Sequence, residues 1–313
     1  MNFFDLVFFI KVCEVGIFTT MRELSLNKSE CDEIISSLQA FLDDQLFLDL
    51  KNPSIENLTK KAKIFYPGAK KIVTDLFSDF IKKSENIGDE QNIIKIKSDI
   101  LSGKNIILPA ITRLESYKKS PDINVELFTC EEHERLDNMN MHVIFHNMDK
   151  SDKIFFDKKW SVKIGQGLYA SKKYLHESGN IPQKPEDLLQ HAVIGIGDSF
   201  DQEVYNYTNW HLSGSYTKVK IIPAIMINSR SVLIAAIEAN LGIGPIIEYG
   251  NIDQDKNLCK VLPEIKGPPI TIDFAVRKDL NKKYDDFIKD IEKEILLEIK
   301  NLGLEIVYQE GIL

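Results

Sequence analysis

The stretch from Phe18 to Phe47, FTTMRELSLNKSECDEIISSLQAFLDDQLF, constrains this chain more than any other. Leu24 and Leu26 close a first short helix. Cys31, Ile34, Ile35, Leu38 and Leu42 then recur at three- and four-residue steps, which is one buried face of a second helix. Two such helices with a tight turn between them make a helix-turn-helix pattern. Asn27 stands where the N-cap of the second helix belongs, and Glu30 follows three residues later, a capping-box spacing. In DNA-reading domains of this architecture the residues just after the cap enter the major groove. Here they are Lys28, Ser29, Glu30, Asp32 and Glu33, an acidic set for such a task.

The flanking segments complete the domain. Phe4, Val7, Phe8 and Val12 place an apolar stripe on a preceding helix, which Gly16 ends. Beyond Leu42, short extended runs around 46–50 and 55–58, separated by the turn signal Asn52-Pro53, read as a two-stranded wing. Residues 1–59 therefore read as a winged helix-turn-helix domain. Thr59 can cap the next helix, along which Ala62, Phe65, Ala69, Ile72, Leu76 and Phe80 alternate in steps of three and four, a coiled-coil seam. Helical through residue 85, it would extend roughly 39 Å and pair with the same helix of a second copy. Pro67-Gly68 should kink it or loosen its first turns. Residues 60–92 are thus a linker and dimerisation helix with a polar hinge at its end.

From Ile93 onward, strand and helix patterns alternate. Extended runs fall at 93–96, 125–128, 143–145, 162–169, 193–196, 219–222, 243–247 and 270–276. Helical ones fall at 106–114, 185–189, 229–240 and 284–301. The alternation predicts an α/β domain with a largely parallel sheet and ligand crevices at the carboxyl ends of its strands.

Composition narrows the function. The net charge of -8 argues against a globally basic nucleic-acid coat, though a small DNA-reading module is easily diluted by a larger acidic domain. No apolar run approaches the roughly 20 residues that span a bilayer. The first fifteen residues carry Asp5, Lys11 and Glu14, unlike a signal peptide, so no membrane role and a cytoplasmic location are expected. Cys13, Cys31, Cys130 and Cys259 are far apart, as expected of reduced thiols. Met139, Met141, His142, His146 and Met148 place soft ligands close together, but their pattern fits core and edge residues of a strand better than a metal site. No G-x-S-x-G, Walker loop or H-E-x-x-H is present, and Gly195 to Asp198 is too short for a dinucleotide fingerprint. The sequence reads as a non-enzyme with no cofactor.

The chain resembles the LysR-type transcriptional regulators along nearly its whole length. Phe9, Glu14, Gly16, Phe18 and Thr19 match the family's opening pattern. Leu24, Leu26, Ile35, Leu38, Leu42 and Leu46-Phe47 keep register through the helix pair, and Leu58-Thr59, Pro67 and Ala69 follow. Further on, residues 108–127, 168–175, 185–195 and 227–246 are similar to successive family motifs, with Ser120 where the family has an aromatic. The resemblance implies a periplasmic-binding-protein-like effector domain at 93–301. Its subdomain I would span about 93–163 and 267–300 and its subdomain II about 164–266, with a tail at 302–313. It also implies a homodimer or homotetramer that binds promoter DNA and answers to a small-molecule effector.

Within such a domain the effector should lie against strand ends and helix N-termini: Ser98, Asp99, Thr129, Cys130, Ile196, Asp198, Asn228 and Ser229. Each of these residue types also serves as an ordinary cap or turn residue. On the DNA side the candidates are Asn27, Lys28, Ser29, Glu30, Asp32, Glu33, Lys51, Lys60 and Lys61. Residues 1–50 hold only Lys11, Arg22 and Lys28 as basic groups, so phosphate neutralisation is meagre and nonspecific affinity should be weak unless the wing lysines compensate. The alternative is a diverged relative that dimerises and binds ligand or protein with weak or lost operator recognition.

Overall fold

A computed structural model describes residues 1–24, 26–49, 53–88, 92–114, 123–130, 141–148, 152–197, 207–214, 216–250 and 257–308; between 76 and 88 only the backbone is described. It is an N-terminal winged helix-turn-helix, a long helix, and a two-lobed α/β half.

α1 (Phe3–Val15) is more deeply embedded than a single stripe implies. Phe4 and Leu6 to Ile10 are all buried, because α2 (Ile17–Glu23), α3 (Lys28–Leu42) and α4 (Lys60–Gly88) together enclose it. Gly16 turns the chain between α1 and α2 at φ +81°, a conformation that costs other residues a Cβ clash. Leu24, Cys31, Ile34 and Leu38 close the core beneath, and Phe9 meets Phe47, Phe65 and Tyr66 at ring-centroid distances of 6.1, 5.8 and 6.0 Å. The wing is shorter than expected. Phe47 bridges Leu58, Leu48 N–H donates to the Asn57 carbonyl at 2.6 Å, and Ile55–Asn57 is a 3-10 turn rather than a strand.

Two expectations about α4 are corrected. The helix runs through Pro67 without interruption, since its first turns are held by packing rather than by the lost backbone bond. Ala62, Phe65 and Ala69, assigned above to an intermolecular seam, pack with Tyr66 and Val73 into the protomer's own core. Glu14 on α1 fastens the same face, accepting from Tyr66 Oη at 3.1 Å and Lys70 Nζ at 2.6 Å. The outward stripe is instead Ile64, Gly68 and Ile72, exposed at four-residue steps. The side chains of Leu76 and Phe80 lie outside the described residues.

The α/β half has two lobes. Lobe I is a six-stranded sheet in the order β11-β4-β10-β3-β1-β2, from β1 (Ile93–Asp99), β2 (Asn124–Cys130), β3 (Val143–His146), β4 (Phe156–Ile164), β10 (Ile270–Arg277) and β11 (Glu305–Tyr308). α5 (Ile100–Ser102), the π-helical Gly103–Ile107, α6 (Leu108–Arg113) and the last helix, α10 (Asp285–Asn301), cover one face. Arg113 locks two of them together, its Nε 3.0 Å from Glu294. Lobe II has a three-stranded antiparallel sheet of β5 (Gln166–Ser171), β8 (Gly244–Ile247) and β9 (Leu258–Val261), and a parallel pair, β6 (Ile194–Ile196) and β7 (Ile225–Ile227). α8 (Lys172–Ser178) and α9 (Arg230–Glu238) pack on these strands, and α7 (Asp152–Phe155) precedes β4 in lobe I.

The largely parallel sheet is overturned. Among the described strands, parallel pairing joins β1 with β2 and β3, and β6 with β7, with one further parallel bridge between Val193 and Ile243; β10, returning from lobe II, inserts antiparallel between β3 and β4. Residues 219–222 form no strand, and 162–169 break at Gly165 where the chain passes between lobes. β9 and β11 were not foreseen. No described helix is long and apolar enough to cross a membrane.

Candidate DNA-reading surface and effector cleft

The start of α3 has the capping box its sequence implies. Asn27 Oδ1 accepts the Glu30 N–H at 3.0 Å and Glu30 Oε2 accepts the Asn27 N–H at 2.8 Å, so each of two otherwise orphaned N–H donors is satisfied by the other residue's side chain. Glu30 is half-buried, and its other oxygen lies 3.9 Å from Lys153 Nζ in lobe I. Of the residues expected on the reading surface, Asn27 and Glu30 therefore hold the helix start. Lys28, Ser29, Asp32 and Glu33 stay exposed on its outer side.

At the other end of α3, Asp43 leaves the helix in the left-handed region, and Lys61 Nζ donates to its carbonyl at 2.8 Å and to that of Leu42 at 3.3 Å. Lys61, expected at phosphate, here caps the C-terminus of α3, where its charge complements the helix dipole. Lys60 is exposed, and Lys51 lies outside the described residues.

In lobe I the ends of β1 and β2 bring the predicted residues into register, Ser98 beside Thr129 and Asp99 beside Cys130. Ser98 is fully buried and donates to the Asp99 carbonyl; the Cys130 thiol donates toward the Ser98 carbonyl at 3.8 Å. Asp99 caps α5 through the Ser102 N–H at 2.8 Å. Gly103 is what permits this crowding, since a Cβ there would come within 2.7 Å of Ser98 Oγ and 2.9 Å of Thr129 Cγ2. Thr129 alone of the four is exposed.

In lobe II, Ile196 is buried, and both its backbone polar groups are taken by Asn209, whose Oδ1 accepts at 2.8 Å and whose Nδ2 donates at 2.6 Å. Ile196 pairs with Ile227, and Gly197 N–H donates to the Ile227 carbonyl, which brings Asn228 and Ser229 beside the end of β6. Ser229 caps α9 through the Val232 N–H at 3.4 Å, and Asn228 is exposed. Asp198 lies outside the described residues, as do 131–140 and 198–206, which follow β2 and β6.

Sequence reasoning missed the groups that join the lobes. Tyr249 Oη and Ser102 Oγ lie 2.8 Å apart, and Ile234 of α9 touches the cores of both lobes. At the crossing, Glu248 N–H donates to the Gly165 carbonyl, Gly267 N–H to that of Gln166, and Gln166 Nε2 to that of Pro268. Glu248 also accepts from Tyr169 and Lys260. Arg230 is buried at the first turn of α9, near the buried His211, whose pKa is pushed down to about 4, chiefly by burial. The unusual density of glycine around Gln166 was the available signal for the crossing.

The soft-ligand cluster is committed elsewhere. His142 Nδ1 accepts the Lys95 N–H at 2.9 Å and its ring stacks on Tyr284, while His146 Nδ1 lies 2.7 Å from the Asn147 carbonyl. Met139 lies outside the described residues. Among the described residues, no group of three or more His, Cys, Asp or Glu side chains could hold a metal ion. Burial, reinforced by Glu14, pushes the Cys13 thiol up to about 12, in keeping with a packing role.

No protein-family model matches the chain, and no curated protein matches it. Among solved structures, the regulatory domain of CrgA, a LysR-type transcriptional regulator from Neisseria meningitidis, is similar at 18% identity with a TM-score of 0.53, covering 66% of this chain and 99% of that one. Full-length CrgA aligns at 17% identity and a TM-score of 0.49, over 97% of this chain and 99% of that one. Full-length AphB of Vibrio cholerae, a member of the same family, aligns at 21% and 0.45, over 93% and 98%.

Proposed function

We propose that this chain, which carries the LysR-type regulator fold, is a DNA-binding transcriptional regulator answering to a small-molecule effector held between its two lobes. The observation that carries the reading is the combination of parts: a winged helix-turn-helix with its recognition helix capped at both ends, joined by α4 to two α/β lobes that meet at paired chain crossings. The division into a DNA-binding domain (1–59), linker (60–92) and effector domain follows the same logic, with the effector domain expected at 93–301 extended to 308 because β11, in the expected tail, joins the lobe I sheet.

Lys28, Ser29, Asp32 and Glu33 would face the major groove, with Lys60 and Lys51 on flanking phosphates. Because two of the four groove-facing groups are carboxylates, nonspecific affinity should be low. Effector binding would use Ser98, Asp99, Thr129 and Cys130 from lobe I and Ile196, Asp198, Asn228 and Ser229 from lobe II, with the N–H groups at the start of α9 suited to a carboxylate or phosphate. Assembly into dimers or tetramers would use the exposed Ile64, Gly68 and Ile72 face of α4.

Two measurements test this. Selection and sequencing of bound genomic fragments, followed by gel shift, should yield a preferred site whose affinity falls steeply with salt; no shift at micromolar protein and low salt would mean operator recognition is lost. A metabolite screen by thermal shift should find at least one stabilising ligand.

A further inference from the structure

The winged helix-turn-helix rests on lobe I of its own chain. Ile154 of α7 is buried in the hydrophobic core of the N-terminal domain, and Phe155 packs both on that core and on the lobe I cluster of Met141, Ile144, Phe156 and Ala275. Around this apolar peg the contact is charged. Lys153 faces Glu30 at 3.9 Å, and Glu23 closes a cavity of about 40 Å³ against Met148, Asp157, Lys158 and Asp273. Lys278 pins the peg from behind: its Nζ donates to the Lys153 carbonyl at 2.8 Å and its backbone N–H to that of Phe155 at 2.9 Å.

We infer that Asp152–Phe155 is a cis-docking peg through which the winged helix-turn-helix moves as one body with lobe I. An interface of one or two apolar side chains in a charged rim is of the reversible kind, and salt should weaken it. The contact touches the capped start of α3 from behind and leaves Lys28, Ser29, Asp32 and Glu33 exposed, so docking orients the reading surface without covering it. The peg leads directly into β4, whose far end is the crossing at Gly165, so the docked domain sits at the head of the strand that ends where lobe II begins. That docking steers DNA binding rests on the regulator reading; docking itself does not, and it is measured without DNA.

Zero-length carbodiimide cross-linking of the full-length protein, using a mixture of light and isotopically heavy chains, tests the peg. An amide between Lys153 and Glu30 or Glu23 within single chains is expected, falling severalfold in 1 M salt and in Ile154→Asp. Its absence, or light–heavy products at the share that random mixing of chains gives, would overturn the inference. Should Ile154→Asp fail to fold, Lys278→Met, in which the peg loses one anchor, and the salt series on the unaltered protein decide the matter: a cross-link yield indifferent to both would equally sink the idea.

Discussion

All six histidines and both tryptophans of this chain fall in the α/β half, whereas the winged helix-turn-helix and α4 hold none of either. The difference separates two ways of handling charge. The α/β half buries neutral imidazoles: His142 is pushed down to about 4, mainly by burial and then by Arg277 and Lys95, and His211 to about 4 by burial. The N-terminal domain instead holds Glu14 and Glu23 at its rim in ion pairs. Glu14 is held below its ordinary pKa by Lys70, and Glu23 by Lys11. Acid should therefore reach the two halves at different pH values.

The largest expected effects come from the two cores. Trp160 stacks on Phe274 with ring centroids 4.9 Å apart and donates to Glu292 at 2.7 Å. Phe274→Ala, which removes that stack but leaves both tryptophans, should cost about 3–5 kcal/mol in the α/β half, and Leu38→Ala about 2–5 kcal/mol in the N-terminal domain. Urea unfolding separates them, since tryptophan fluorescence reports only on the α/β half and ellipticity on both. If Leu38→Ala moved the fluorescence midpoint as far as the ellipticity midpoint, the two halves would be one cooperative unit.

The pH response comes next. A histidine whose folded pKa lies below its unfolded value gives full stability above about 6.5, and that stability drains away as pH falls toward the folded value. From the directions at His142 and His211, the fluorescence midpoint should drop between pH 6.5 and about 4, by a ceiling on the order of 3 kcal/mol per residue. The carboxylates act in the same direction but in a lower window: their lowered pKa values contribute above the ordinary carboxylate range, and that contribution is lost as pH falls through the folded values. A midpoint flat from pH 7 to 5 would contradict the assignment of buried neutral histidines.

Smaller effects sharpen the N-terminal side. Asn27→Ala removes half of the capping box and should cost about 1 kcal/mol, visible in ellipticity and absent from fluorescence. Lys61→Met should cost only about 0.3–1 kcal/mol by undoing the C-cap, with a slope of DNA affinity against salt that is unchanged if Lys61 touches no phosphate.

Local signals were legible where one helix settles its own geometry. Asn27 and Glu30 announced their hydrogen bonds, and Gly16 its turn. Long-range competition was not legible. Ala62, Phe65 and Ala69 have the spacing of a seam, but spacing does not say whether a second copy or the protomer's own α1 takes that face. Likewise β10 looks like any buried strand; its antiparallel insertion between β3 and β4 follows from the chain's return from lobe II. The candidate effector residues came through as strand ends, yet Tyr249 and Ser102 gave no local sign because they meet across 147 residues.

The last strand has a consequence for handling the protein. β11 pairs along β4 from Glu305 opposite Lys163 to Tyr308 opposite Trp160. A chain cut after Leu304 would keep the whole reading surface and both lobes, yet offer the bare backbone of a nine-residue, largely buried strand to any extended neighbour. Such a truncation should aggregate rather than merely lose stability. The four residues of β11, none of them among the candidate site residues, thus act as a guard on solubility.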